Sequence, residues 1–336
     1  MLHLSVLDQS VAGVGKSHGQ TIRDTVAMAE LCEGLGYKRF WVSEHHSHPT
    51  IVGTAPEILL AGIAMRTNRI RLGSAGVMLP HYAPLKVAEQ FRVLEAFAPG
   101  RIDLGLGRAP GTDGRTSLAL NPAAAERPAE FPNDVQDLAA WVSGQPLPEG
   151  HPFAAVQANP QGETSPEIWM LGSSLYGAQV AAHFGLPYSF AWFFTEGQGG
   201  PEAIQIYRDR YQPSERFPEP CPGICVWALA AETEEEAHYH FASRARWQLY
   251  RDRGRYTALE SAETAVGAAY SESETARMEQ LRQTAMVGTP DMVAERIRAL
   301  ATRLDIEEIA VVTWAHDEGV RRRSYELLAK EFGMAG

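Results

Sequence analysis

The stretch LHLSVLDQSVAGVGKSHG, residues 2–19, decides the fold. It opens as a β-rich run, Leu2–Asp8, and passes through a glycine-bearing turn into a helical pattern near 20–35, where Ile22, Val26, Ala29 and Cys32 recur at helical spacing before Gly36. In an open, doubly wound sheet this first strand-to-helix turn carries the dinucleotide fingerprint. The turn here has glycines but no G-x-G-x-x-G, and GVGKS lacks the full spacing of a phosphate-binding loop. That leaves the closed barrel as the other arrangement of repeated strand–helix units.

The remaining units support closure. Strands are predicted at 39–44, 70–78, 101–107, 167–174, 186–194, 223–231 and 308–315, each followed by a helical pattern. Thr54 and Glu57 fit a capping box for the second helix, and Leu85, Ala88, Phe91 and Leu94 line one side of the third. Eight strands with helices between them predict an α/β fold, an eight-stranded parallel (β/α)8 TIM barrel occupying residues 1–336 as one domain. A barrel of this kind needs about 250 residues; the surplus is assigned to rim insertions at about 110–165, with one helix at 133–142, and at about 233–287. Within the second, a polar helix is expected at 233–255 and weak patterning over 256–287.

Composition narrows the partners. The 336 residues carry 41 acidic and 30 basic side chains, a formal charge of -11, which disfavours nucleic acid. The one compact basic run, Arg321–Arg322–Arg323, reads as the solvated face of a C-terminal helix. The N-terminus lacks the basic start and apolar stretch of a signal peptide, and the longest apolar run, 58–65, is too short to span a bilayer. Cys32, Cys221 and Cys225 form neither a disulfide framework nor a zinc pattern. These features predict a cytoplasmic protein with no membrane or nucleic-acid partner.

Active sites of such barrels lie at the C-terminal strand ends. Those ends are rich in aromatic and apolar residues and poor in carboxylates, which suits a large flat organic ligand better than metal-assisted hydrolysis. WVSEHHSHPT, 41–50, carries Glu44, His45, His46 and His48. Consecutive strand residues face opposite ways, so His45 and His46 do not both enter the mouth of a continuing strand. A single inward His45 acting by hydrogen bonding or proton transfer is the economical reading, and no metal is expected. Arg108, directly after the fourth strand, is either a clamp for phosphate or carboxylate or the partner of a nearby acid. In LGSSLYGAQVAAHFGLP, 171–187, Ser173 or Ser174 caps a helix whose free N–H groups form an anion site or an ordinary helix start. Both features sit on successive strands and would reach one phosphorylated ligand.

WVSEHH, GSAGVMLPHYAPLKVAEQF, PGRIDLGLGRAPGTD, LGSSLYGAQVAAHFGLP and VGTPDMVAERI together resemble the bacterial-luciferase-like flavin monooxygenases across nearly the whole chain. The resemblance implies reduced flavin mononucleotide (FMN) as cofactor and O2 as cosubstrate, with a small organic substrate, reduced flavin supplied by a separate NAD(P)H:flavin reductase, and a homodimer. It implies a non-proline cis peptide at Ala75–Gly76 against the flavin ring, phosphate binding by Arg108 and Ser174, assistance of the oxygen chemistry by His45, and an outward, structural His46. Where a small residue and a histidine are expected after the sixth strand, this chain has Trp192–Phe193–Phe194. With Met78, Trp192 is assigned to the substrate pocket, favouring hydroxylation or epoxidation of a bulky polyketide-type secondary metabolite; core packing is the other reading of these rings. A deazaflavin oxidoreductase and a non-catalytic flavin-binding protein share the fold.

Overall fold

The computed structural model describes residues 2–123 and 126–334. Eight parallel strands close into a barrel in the order β1 (His3–Asp8), β2 (Arg39–Val42), β3 (Arg71–Met78), β4 (Ile102–Gly107), β5 (Glu167–Gly172), β6 (Tyr188–Phe190), β7 (Pro222–Ala230) and β9 (Glu308–Val312), with His3 in register with Glu308 at closure. A short ninth strand, β8 (Met286–Gly288), pairs with the C-terminal half of β7 from Ala228 to Ala230. It falls where the sequence shows only weak patterning. Three residues are too few to display a period.

Alternation along each strand builds two cores. Leu4 and Val6 of β1, Phe40 and Val42 of β2, Leu72, Leu104, Met170, Ile224 and Val311 face the surrounding helices. Leu7, Trp41, Trp169, Cys225, Trp227, Ala310 and Val312 fill the barrel. Both faces of every strand are covered, which is why these segments are apolar runs rather than half-polar ones.

The helices follow the strands: α1 (His18–Gly34), α2 (Pro56–Ala64), α3 (Pro84–Phe97), α4 (Gly114–Leu120), α5 (Arg127–Ser143), α6 (Leu175–His183), α7 (Trp192–Thr195), α8 (Gly200–Asp209), α9 (Glu234–Arg251), α10 (Ala262–Val266), α11 (Glu272–Thr284), α12 (Pro290–Leu304) and α13 (Glu318–Glu331). The expected Thr54–Glu57 capping box is absent. Pro56 occupies the first turn of α2, Ala55 becomes its N-cap and no side chain caps it; Glu57 instead accepts a hydrogen bond from Gln90 at 3.2 Å. A true box sits at Ser271 and Glu274, at the head of α11. Among the described residues the first insertion holds two helices rather than one: Pro128 lies in the opening turn of α5, where a missing N–H costs nothing, and Asp113 caps α4 through Arg115 N and Thr116 N.

Two further expectations change. The sixth strand stops at Phe190, and Trp192–Phe193–Phe194 form a helical turn rather than a strand end. Arg321 does not lie on a solvated face: it is 6 % exposed and pairs with Asp8 and Glu318, each at 2.9 Å.

Close approach of β3 and β4 depends on Gly105. A Cβ at this position would stand 2.0 Å from Ser74 O and 2.7 Å from Leu171 Cδ1. Gly105→Ala is therefore expected to cost about 3 kcal/mol, since the obstacle is backbone that has nowhere to yield. A urea midpoint equal to that of the unaltered chain would contradict this.

Candidate active site at the barrel mouth

The histidine-rich stretch follows the end of β2 at Val42, two residues earlier than the sequence suggests, so the rule of alternating faces no longer governs it. Each polar side chain there has its own assignment. Glu44, 1 % exposed, accepts from Tyr82 Oη at 2.6 Å and Met78 N at 3.1 Å, and lies 2.7 Å from His46 Nε2. Burial, and then the Glu44 carboxylate, raise the Tyr82 pKa, so the phenol remains a donor. His46 is thus turned onto a buried carboxylate rather than outward, which corrects that expectation. His48 Nδ1 accepts from Thr50 N at 3.1 Å and Ile51 N at 3.0 Å.

His45 is left. Its backbone N–H is tied to Gly53 O at 3.0 Å, which fixes the loop, while Nδ1 is buried with no hydrogen-bond partner among the described residues. Burial, and then His48 and His46, lower its pKa to about 4, so the ring is neutral under ordinary conditions. A neutral imidazole with an uncommitted nitrogen can accept or pass on one proton. No group of three or more His, Cys, Asp or Glu side chains among the described residues is arranged to hold a metal ion.

The anion-binding features converge. Ser174 is the N-cap of α6 in extended conformation, yet its hydroxyl makes no capping hydrogen bond, and the first-turn N–H groups of the helix remain uncapped by a side chain. Arg108 is exposed, has no ion pair among the described residues, and lies 3.9 Å from the ring centroid of Tyr176 in that first turn. The alternative that Arg108 serves a neighbouring acid finds no such acid among the described residues. Ser173, one residue before the cap, is half-buried.

Between these groups the surface is apolar. The Ala75–Gly76 peptide is cis. Ala75, like Leu171 and Phe193, packs against the interior core that includes Trp227, Trp247 and Trp314, and a Cβ on Gly76 would stand 2.8 Å from Gly105 O. The α9 helix lies against this mouth through Phe241, Ala245 and Trp247. Trp247 is anchored by Nε1 donating to Thr50 Oγ1 at 2.8 Å. Trp192 and Phe193 line a cavity of about 610 Å³, its open mouth included, whereas Met78 packs toward Gly107 and Gly111 and is not part of that lining. Phe194 is exposed under Arg251.

Sequence reasoning missed Glu44 as the hub that holds the loop, and Trp247 and Arg244 on α9. Glu44 was visible beside the histidines, but its partner Tyr82 lies 38 residues away. The α9 residues sit in a helix that looks merely polar in sequence.

The profile of the luciferase-like monooxygenase family matches residues 2–305. The chain is 37% identical over 333 residues to the N-acetyl-S-alkylcysteine monooxygenase of Bacillus subtilis (strain 168), covering 98% of each. It superposes on the crystal structure of apo-MsnO8 with a TM-score of 0.87 at 34% identity, over 99% of each chain. The oxygenating constituent of 3,6-diketocamphane monooxygenase from Pseudomonas putida, solved with FMN, shares the fold with a TM-score of 0.68 at 20% identity, over 98% of this chain and 97% of that one. The family match and the monooxygenase relatives make this chain an oxidoreductase of the monooxygenase class. The chain belongs to the luciferase-like monooxygenase family.

Proposed function

We propose that this chain is a cytoplasmic, homodimeric flavin-dependent monooxygenase. It receives reduced FMN from a separate NAD(P)H:flavin reductase and uses O2 to hydroxylate or epoxidise a small organic substrate, a polyketide-type secondary metabolite being the candidate class. Residues 1–336 act as one catalytic unit, with the rim segments 110–165 and 233–287 framing the mouth. The observation that carries the reading is Arg108, with no ion pair among the described residues, stacked on the first turn of a helix that no side chain caps. Further support comes from the monooxygenase relatives and from FMN in a structure of the same fold.

The residues fit a flavin mononucleotide. Arg108, Ser174 and the first-turn N–H groups of α6 would hold its phosphate, and Ala75–Gly76 with the apolar mouth would face its ring. Bound in reduced form, the cofactor supplies the two electrons that activate O2. Everything else is done by this chain. Trp227, Trp247, Trp314 and Leu171 keep water from the mouth, which lengthens the life of any reactive oxygen species held there. Glu44, by pinning Met78 and His46, fixes the loop from which His45 projects. The uncommitted Nδ1 of His45 holds or moves the proton at the reacting oxygen.

The test mixes the protein, loaded with reduced FMN, rapidly with oxygenated buffer. The unaltered chain is expected to reoxidise in two resolved absorbance phases, and His45→Ala to speed the slow phase by about tenfold, a modest loss for an acid–base group. Because the His45 pKa lies near 4, that slow phase should show no step from this residue between about pH 5 and 8. Single-phase reoxidation in both proteins, as for free flavin, would refute the monooxygenase mechanism and move attention to a deazaflavin.

A further inference from the structure

One charge at the mouth has no place in the flavin assignment. Arg244, on α9, is 8 % exposed, and its guanidinium is ringed by Trp247, Trp314 and Trp227 at 5.0, 5.1 and 6.0 Å. Its hydrogen bond goes to the amide oxygen of Gln248, four residues on. No carboxylate pairs with it among the described residues, and Nε is buried without a partner. Trp227 Nε1, also buried, is equally unpartnered. Both side chains line the same open cavity as Trp192 and Phe193, whose other walls include Phe241 and Leu281. Glu196 lines it too but is engaged by Arg277 at 2.7 Å, and Arg277 also takes Asp252 at 3.2 Å.

Buried polar groups are costly unless bonded, and a buried charge more so. Indole and guanidinium are donors only, so what completes this site must be an acceptor. The formal charge selects an anion, and the planar guanidinium fork selects a carboxylate. We propose that Arg244 and Trp227 bind the carboxylate of the substrate, so that the enzyme acts on organic carboxylates whose apolar body rests against Trp192, Phe193 and Phe241. This rests on the monooxygenase reading and specifies its substrate class. Burial, and then Arg251, lower the Arg244 pKa, and Glu196 and Asp252 offset part of that without pairing with the guanidinium; a bound carboxylate would offset the rest. Arg108 lies outside this cavity lining, which keeps the phosphate anchor and the substrate anchor separate.

The experiment titrates the flavin-free full chain with hexanoate and 4-phenylbutanoate, and with the corresponding neutral amides. Tryptophan fluorescence is read because three indoles surround the guanidinium, and calorimetry is run alongside. The carboxylates are expected to bind at least about tenfold more tightly than the amides, the difference of one charge-assisted hydrogen-bonding group. Arg244→Gln should erase that preference, Arg244→Lys should retain part of it, and neither should alter FMN affinity. Equal affinity for acid and amide in the unaltered chain, or no binding of either, overturns the proposal without recourse to any variant. So does a parallel loss of FMN affinity in Arg244→Gln, which would give the residue to the cofactor. Because binding is read without flavin, failure of the oxygen chemistry leaves this result standing, and the two failures are distinguishable.

Discussion

Arg39→Met is expected to destabilise the fold by about 3–5 kcal/mol, the usual consequence of removing one member of a buried ionic cluster. Arg39, 5 % exposed, stands on the barrel floor and reaches three carboxylates: Asp103 and Glu308 at 2.8 Å each and Glu167 at 3.2 Å. Removing it strands charge that the interior cannot solvate. Asp103 would keep Arg71 at 2.6 Å and Trp41 Nε1 at 2.9 Å, and Glu308 would keep Lys38 and Ser5 at 2.6 Å each. That residual pairing places the loss within, rather than above, the stated range. Acid gives a second readout. Burial alone would raise the Glu308 pKa, but Arg39 and then Lys38 bring it below the ordinary glutamate value. A carboxylate with a depressed folded pKa contributes stability above its unfolded pKa and loses it as pH falls through the folded one. The unaltered chain should therefore lose stability on acidification below the usual glutamate range, and Arg39→Met should show a shallower slope there. Urea midpoints measured from neutral pH into acid check both; equal slopes in the two proteins would show that Arg39 does not govern Glu308.

This cluster was not legible in the sequence, and the reason is physical. Arg39, Asp103, Glu167 and Glu308 each look like a charge at the start of an apolar strand, where solvent exposure is the ordinary reading. Only barrel closure, which sets β1 between β2 and β9, brings them onto one inward-facing layer. The eight barrel strands themselves were legible, because both faces of each are buried and the runs are long. The apolar pattern overstates β6, since the aromatic turn Trp192–Phe193–Phe194 continues its character past Phe190. The solvated-face reading of Arg321 fails because its partner Asp8 is 313 residues away. The motifs around His45, Arg108 and Ser174 stand out in the sequence because each follows a strand and leads into a turn or helix start, whereas Ala75–Gly76 lies inside β3 and is singled out only by the family resemblance. Arg244 could not, because nothing in HFASRARWQLY, 240–250, tells which of its arginines turns inward. Arg246 answers to Glu260, whereas Arg244 faces three tryptophans.

Arg108→Met is expected to weaken FMN binding by about 100-fold while leaving riboflavin, which lacks the phosphate, bound as before. The size follows from losing a bidentate, charge-assisted contact, which is worth up to about 3 kcal/mol, with about 1.4 kcal/mol per tenfold. Methionine keeps an unbranched, apolar side chain that can still lie over Tyr176, so the comparison isolates charge from packing. Ser174→Ala should cost less, about tenfold or under, because the α6 N–H groups and Arg108 remain and the serine hydroxyl has no capping bond to lose. Raising salt should weaken FMN binding to the unaltered chain more than to Arg108→Met, since the site is exposed and its electrostatics are screened. The discriminating quantity is the FMN-to-riboflavin ratio, measured by flavin fluorescence on the same preparations. A ratio that collapses in Arg108→Met assigns the phosphate to this arginine and the α6 start. Equal losses for both ligands would mean that Arg108 acts by holding Tyr176 and the mouth in shape, and the anchor for an anionic cofactor would then have to be sought elsewhere on the rim.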